Sequence, residues 1–153
     1  MSEPTRREFL MTGLGAVAAA VPAFGQSWDL ATLTLKQASD LIRRRTVSAV
    51  ELTSACMRRI DAYNPALNAY VTVAREQALE AARRSDAERR SNGWRGPLHG
   101  IPVAFKDNID TAGIRTTGAS ALFKDRIPDE DAGVVARLRQ AGASSGSSRQ
   151  PAA

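Results

Sequence analysis

The sequence predicts an α/β chain in the order helix, helix, strand, helix, strand, loop, helix, and three observations carry that prediction. Two capping boxes each open a stretch of helical periodicity. A long run of alanine, arginine and glutamate over residues 74–90 has high helix propensity and no strand character. Two short apolar runs, 69–73 and 101–105, have the length and composition of strands.

The elements follow in order. Thr34-Leu35-Lys36-Gln37 forms the first box, and Leu35, Ala38, Leu41 and Ile42 repeat behind it at helical spacing until the arginines at 43–45. Ser48-Ala49-Val50-Glu51 forms the second, followed by Val50, Leu52, Ala55, Cys56, Ile60 and Tyr63, with Asn64-Pro65 expected to stop the helix. Ala69-Tyr70-Val71-Thr72-Val73 reads as a short strand. The helix over 74–90 is solvated and is broken by Ser91-Asn92-Gly93. Ile101-Pro102-Val103-Ala104-Phe105 is expected to be a strand buried on both faces. Asp131 is expected to cap a last helix through Val134, Val135 and Leu138 to Gln140, with Gly142 as its terminator. Crossover helices between strands are the pattern of an α/β protein, and two strands do not make a stable sheet, so the domain reads as unfinished.

Composition narrows the function classes. The 153 residues suffice for one domain, with 43% hydrophobic residues, a formal net charge of +5 and a pI near 10.1. The basic balance invites a nucleic-acid reading, but the arginines alternate with acids and alanines on helical stretches, as solvated faces do. Aromatic residues make up only 5%, too few and too scattered for a base-stacking platform. Cys56 is the only cysteine and His99 the only histidine, so neither an intramolecular disulfide nor a zinc cluster is expected. Cys56 reads as a small core residue on its helix, and His99, between Leu98 and Gly100, as a hydrogen-bonded loop residue. Gly96, Gly100 and Gly113 read as turns or close backbone approaches.

The first 26 residues, MSEPTRREFLMTGLGAVAAAVPAFGQ, carry paired arginines before Phe9-Leu10, then a mild Gly/Ala/Val run, then small residues around Ala23-Phe24-Gly25. This resembles a twin-arginine export signal over residues 1–25. The apolar run is too short and alanine-rich for a spanning helix, so no stable membrane anchoring is expected. The mature chain then begins near Gln26, in the periplasm or outside the cell, with the twin-arginine machinery as its export partner.

The segment GPLHGIPVAFKDNID places a lysine, Lys106, at the end of an apolar strand. Burying an ammonium is costly unless it is paired or deprotonated, so Lys106 is either a solvated strand end or a base at the mouth of a site. The residue types alone leave both open.

These stretches resemble a known family. LTLKQASDLIRRRTVSAVELTSACMRRIDAYNPALNAYVTV, then GPLHGIPVAFKDNIDTAGIRTTGAS, then DAGVVARLRQAGA look like the N-terminal part of an amidase signature enzyme, over residues 33–143. The resemblance implies a fold class: the incomplete N-terminal part of the amidase signature fold, helices plus the first strands of a mixed sheet. It also implies cleavage of carboxylic amide bonds by a Ser–cis-Ser–Lys triad in which Lys106 is the lysine. Such a lysine is neutral, its pKa lowered by burial and by bonds to hydroxyls, so that it takes a proton from the nucleophile through the bridging serine. Asp107 and Asn108 are expected to hold the loop behind it without touching substrate.

The family's Gly/Ser-rich signature, with the other two triad members, lies further along than this chain reaches. Ser144-Ser145-Gly146-Ser147-Ser148 imitates it in composition but follows directly on the last helix, where the family places an apolar strand. Residues 144–153 are therefore expected to be an off-family, disordered tail. The resulting organisation is a signal over 1–25, an N-terminal portion of an amidase domain over 26–143, and the tail. The resemblance implies a truncated amidase that keeps one triad member of three and is inactive alone. It also implies a small-molecule amide as substrate of the intact enzyme, with no cofactor, metal or nucleic-acid partner. Two other readings stay open. One is a small secreted helical binding module. The other is a fragment of the amidotransferase branch of the family, whose members work with transfer RNA in the cytoplasm.

Overall fold

Thr34 and Ser48 start the first two helices as their sequences require. In the computed structural model, which describes residues 29–149, α1 spans Leu35–Arg43 and α2 spans Ala49–Leu67, and both capping boxes close reciprocally. Strand β1 (Tyr70–Val73), α3 (Arg75–Arg90), β2 (Pro102–Lys106), α4 (Gly133–Gln140) and β3 (Ser144–Arg149) follow, with single 3-10 turns at Leu30–Thr32 and Ala121–Phe123. The twin-arginine signal expected over residues 1–25 lies outside the described residues, as do positions 150–153.

The three strands form one mixed sheet in the order β1-β3-β2, with β3 antiparallel to β1 and parallel to β2. This corrects the expectation of a disordered tail over its first six residues. Ser144–Arg149 is the central strand, paired from Ser144 opposite Pro102 to Arg149 opposite Lys106. The physical reason is that the ladder is built from backbone groups and is indifferent to the serine side chains. Entry is fixed by the turn after α4: Gly142 N–H donates to Arg139 O and Ala143 N–H to Leu138 O, a Schellman closure. The next amide, of Ser144, then donates to Ile101 O at 2.8 Å.

Helix α3 packs on β3 and α2, and α2 also reaches β2 and the 30–32 turn. Ala38 and Ile42 of α1, Leu52 of α2 and Ile101 ahead of β2 form the central apolar cluster, ringed by Leu30, Leu33, Val47 and Trp94. Burying a side chain the size of Ile42 stabilises by about 2 kcal/mol. Gly100 and Gly142 let two backbones cross beside this cluster. Gly100 N–H donates to Gly142 O at 2.8 Å, Gly100 has φ +75°, and a Cβ on it would stand 2.8 Å from the Ala49 Cβ.

Three further expectations are corrected. Pro65 does not stop α2, which runs to Leu67 and ends at Asn68 in the left-handed region (φ +46°). Asn64 carries the chain round that end: its side chain accepts from Tyr70 N–H at 2.8 Å and donates to Tyr70 O at 3.2 Å, as a neighbouring strand would. Asp131 does not cap α4, which begins after Ala132 with no side-chain cap. Its carboxylate instead takes Ala112 N–H and Arg139. Finally, β2 is not buried on both faces: Phe105 is buried while Ala104 and Lys106 are exposed.

Candidate functional site

Strand β2 alternates, and alternation decides where its lysine goes. Phe105 points inward, so Lys106 before the turn points outward and Asp107 after it returns to the interior. Lys106 is exposed at the C-terminal end of β2, opposite Arg149 in the sheet register. Among the described residues, Lys106 stands exposed at the strand end. The burial that the family resemblance implies for this ammonium is not provided by the described residues.

The turn itself is tight, with Ile109 N–H donating to Lys106 O at 2.9 Å. Asp107 is fully buried, and its carboxylate gathers one short segment of chain. Oδ1 accepts from Thr117 N–H at 2.9 Å, while Oδ2 accepts from the Thr117 hydroxyl and from Ala119 N–H at 3.3 Å. Its main-chain oxygen accepts from Gly118 N–H at 2.9 Å. Asn108, expected to share this work, is exposed.

The rest of the long connection from β2 to α4 is pinned by charges. Asp110 and Arg126 form a two-pronged pair at 2.6 Å on each arm, which holds the Asp110 carboxyl below the usual carboxylate range. Gly113 N–H donates to Pro128 O and Thr116 N–H to Arg126 O, so two parts of the loop run side by side. Arg115 donates to Val71 O at 3.0 Å, and the Thr72 hydroxyl donates to Arg115 O at 3.2 Å, fastening the loop to β1. Thr111, Thr116 and Thr117 are buried beneath it. Sequence reasoning missed Thr117, Ala119 and Arg126. The only signal for them was the Thr-Thr-Gly-Ala-Ser stretch, whose small polar residues suit a loop wound around a buried acceptor.

His99, in the segment before β2, is buried against α3. Ser85 O lies 2.9 Å from Nε2, and Arg95 N–H points at Nδ1 from 3.4 Å. It is the hydrogen-bonded loop residue the sequence suggested. Cys56 is half-buried on α2 rather than a core residue, and burial, with the nearby Asp29 charge, pushes its thiol up. It lines a cleft of about 480 Å³ with Ile60, Tyr63, Leu67 and Tyr70; Lys106 is not in its wall. Among the described residues no group of three or more His, Cys, Asp or Glu side chains is placed to hold a metal ion.

Helices packed on one mixed sheet make this an α/β chain, in which strand β2 ends in an exposed lysine and a buried aspartate ties down the following loop. Comparison with known proteins supplies the family. The Amidase family model matches residues 51–150, and the chain belongs to that family. The match runs past residue 143, into the stretch expected to be off-family. Over 115 residues the chain is 46% identical to the A subunit of the glutamyl-tRNA(Gln) amidotransferase of Moorella thermoacetica, covering 75% of this chain and 24% of that one. It is 40% identical over 124 residues to a putative amidase, AmiD, of Mycobacterium tuberculosis, covering 81% and 26%. The native peptide amidase of Stenotrophomonas maltophilia superposes with a TM-score of 0.73 at 35% identity, over 77% of this chain and 24% of that one. The chain thus spans about a quarter of the length of the relatives it matches.

Proposed function

We propose that this chain is the lysine-bearing portion of an exported amide hydrolase, with Lys106 as the base of a Ser–cis-Ser–Lys triad. The observation that carries the proposal is the position of Lys106: it ends a parallel strand inside the family-matched region, with its backbone held by the 106–109 turn and the Asp107 clamp. Its exposure fits this role if the groups that desolvate it are contributed by parts of the family fold outside the described residues. In that setting the amine accepts the proton of the serine nucleophile through the bridging serine.

Joining residues 29–143 to the remaining three-quarters of a close relative tests the proposal. The chimera should hydrolyse a simple carboxylic amide, and Lys106→Met should lower kcat by about 10³-fold or more, as loss of one member of a catalytic unit does. The 153 residues alone should show no turnover. Lys106-dependent hydrolysis by the chain alone, or full activity of the Lys106→Met chimera, would count against the proposal.

The 46% identity to an amidotransferase favours a second reading, in which the same lysine serves amide transfer within a multi-component enzyme. The paired arginines before Phe9-Leu10 favour the exported hydrolase instead. A reading of the chain as a free-standing binding module has no comparable support.

A further inference from the structure

The buried carboxylate next to Lys106 does more than satisfy its own hydrogen bonds. An uncompensated carboxylate inside a protein is very costly, so Asp107 must be fully met by donors. The carboxylate donors named above come from Thr117 and Ala119, and Gly118 between them donates its N–H to the Asp107 main-chain oxygen. Two of these take the left-handed conformation in succession, Gly118 at φ +60° and Ala119 at φ +57°. The turn at these two residues brings the N–H groups of Thr117 and Ala119 onto the Asp107 carboxylate and leaves the Gly118 N–H between them to the Asp107 main-chain oxygen. Glycine adopts such a φ freely, but alanine does so at a cost, and persists there only where its surroundings enforce it. The bonds to Asp107 are that enforcement.

We infer that Asp107 is a positioning residue: it winds residues 117–119 into a fixed wall against the strand end and so sets the environment of Lys106. The inference deepens the proposed role of Lys106 and rests on it for its catalytic meaning, although the structural link does not need turnover to be measured. The chain has only three lysines, Lys36, Lys106 and Lys124, so acylation by an amine-reactive reagent can be followed at each by peptide mass. Lys36, on α1 and paired with Asp40, is remote in sequence from the loop and serves as the reference.

Asp107→Asn keeps the size but loses charge and places an amide among donors. It should accelerate exchange of the Gly118 and Ala119 amides by about tenfold or more, and raise the acylation rate of Lys106 relative to Lys36 by about threefold, as local opening does. Adding Ala119→Gly, which removes the cost of the left-handed turn, should restore part of both effects; a role confined to neutralising a buried charge would not respond to it. Should Asp107→Asn fail to fold, Thr117→Val removes one side-chain donor and should move both readouts the same way by a smaller factor. Unchanged exchange overturns the inference. So does faster exchange with Lys106 and Lys36 moving together, or no rescue by Ala119→Gly. Full activity of the Lys106→Met chimera would end the catalytic reading while leaving these outcomes intact, so the two failures are distinguishable.

Discussion

Two buried polar side chains near the Gly100–Gly142 crossing behave differently. His99 is 1% exposed, yet both ring nitrogens are engaged. Because Ser85 O can only accept, Nε2 carries the hydrogen and Nδ1 is left to accept from Arg95 N–H. Ser144, which leads the chain from α4 into β3, is equally buried, but its hydroxyl has no partner among the described residues. A buried hydroxyl that loses water and gains nothing is a net cost, and its removal leaves the backbone pairing of β3 untouched. Ser144→Ala should therefore stabilise the fold, by about 1 kcal/mol. An upward shift of the urea midpoint with an unchanged slope is the expected result; a downward shift would mean that the hydroxyl has found a partner. The same residue shows what sequence pattern hides. A serine-rich hexapeptide has no apolar alternation to announce a central strand, because what places it there is backbone pairing on both sides.

At the scale of the element, the most legible parts were those whose signals are local. Thr34/Gln37 and Ser48/Glu51 were readable as helix starts because a capping box is complete within four residues. What the sequence did not disclose is that Asp86, from the C-terminal half of α3, accepts from Ala49 N–H at 2.8 Å and Val50 N–H at 3.2 Å. Together with Ser48 it leaves few free donors at the start of α2. Pro65 and Asp131 were misread for a related reason: Asn64 turns back to Tyr70 and Asp131 reaches Ala112 and Arg139, contacts no local rule anticipates. The second capping box also has a pH dependence. The Ser48 backbone N–H, and then its hydroxyl, hold the Glu51 carboxyl below its ordinary value of 4.5. A carboxylate favoured in the folded state contributes stability that is fully present above that ordinary value and is lost as pH falls through the lower, folded one. Glu51→Ala should cost about 1 kcal/mol at pH 7, a typical value for losing a cap. That deficit should shrink as the pH drops below 4.5. Denaturant midpoints of the two proteins that stayed equally far apart down to pH 3 would show that the charge of Glu51 plays no part.

For the whole molecule, family and architecture were legible because the GPLHGIPV-to-KDN stretch and the flanking helices keep both order and spacing. The site was legible only as positions. Lys106 and Asp107 could be singled out, but the exposure of one and the depth of the other depend on strand alternation and on residues ten positions downstream. The proposed export belongs to the scale of the whole molecule, since a signal acts on whatever folded passenger it carries. The proposal that this chain leaves the cytoplasm rests on Arg6-Arg7 ahead of Phe9-Leu10 and the mild alanine-rich stretch behind them. A twin-arginine system reads the guanidinium pair specifically, and lysine, a compact ammonium without the planar fork, is a poor substitute for it. Residues 1–30 fused to a reporter that folds before export should carry it to the periplasm. Arg6→Lys with Arg7→Lys should leave it in the cytoplasm, read as the fraction released by osmotic shock. Equal release of both fusions would mean that the pair is not a twin-arginine signal, and the amidotransferase-like reading would then gain over the exported hydrolase.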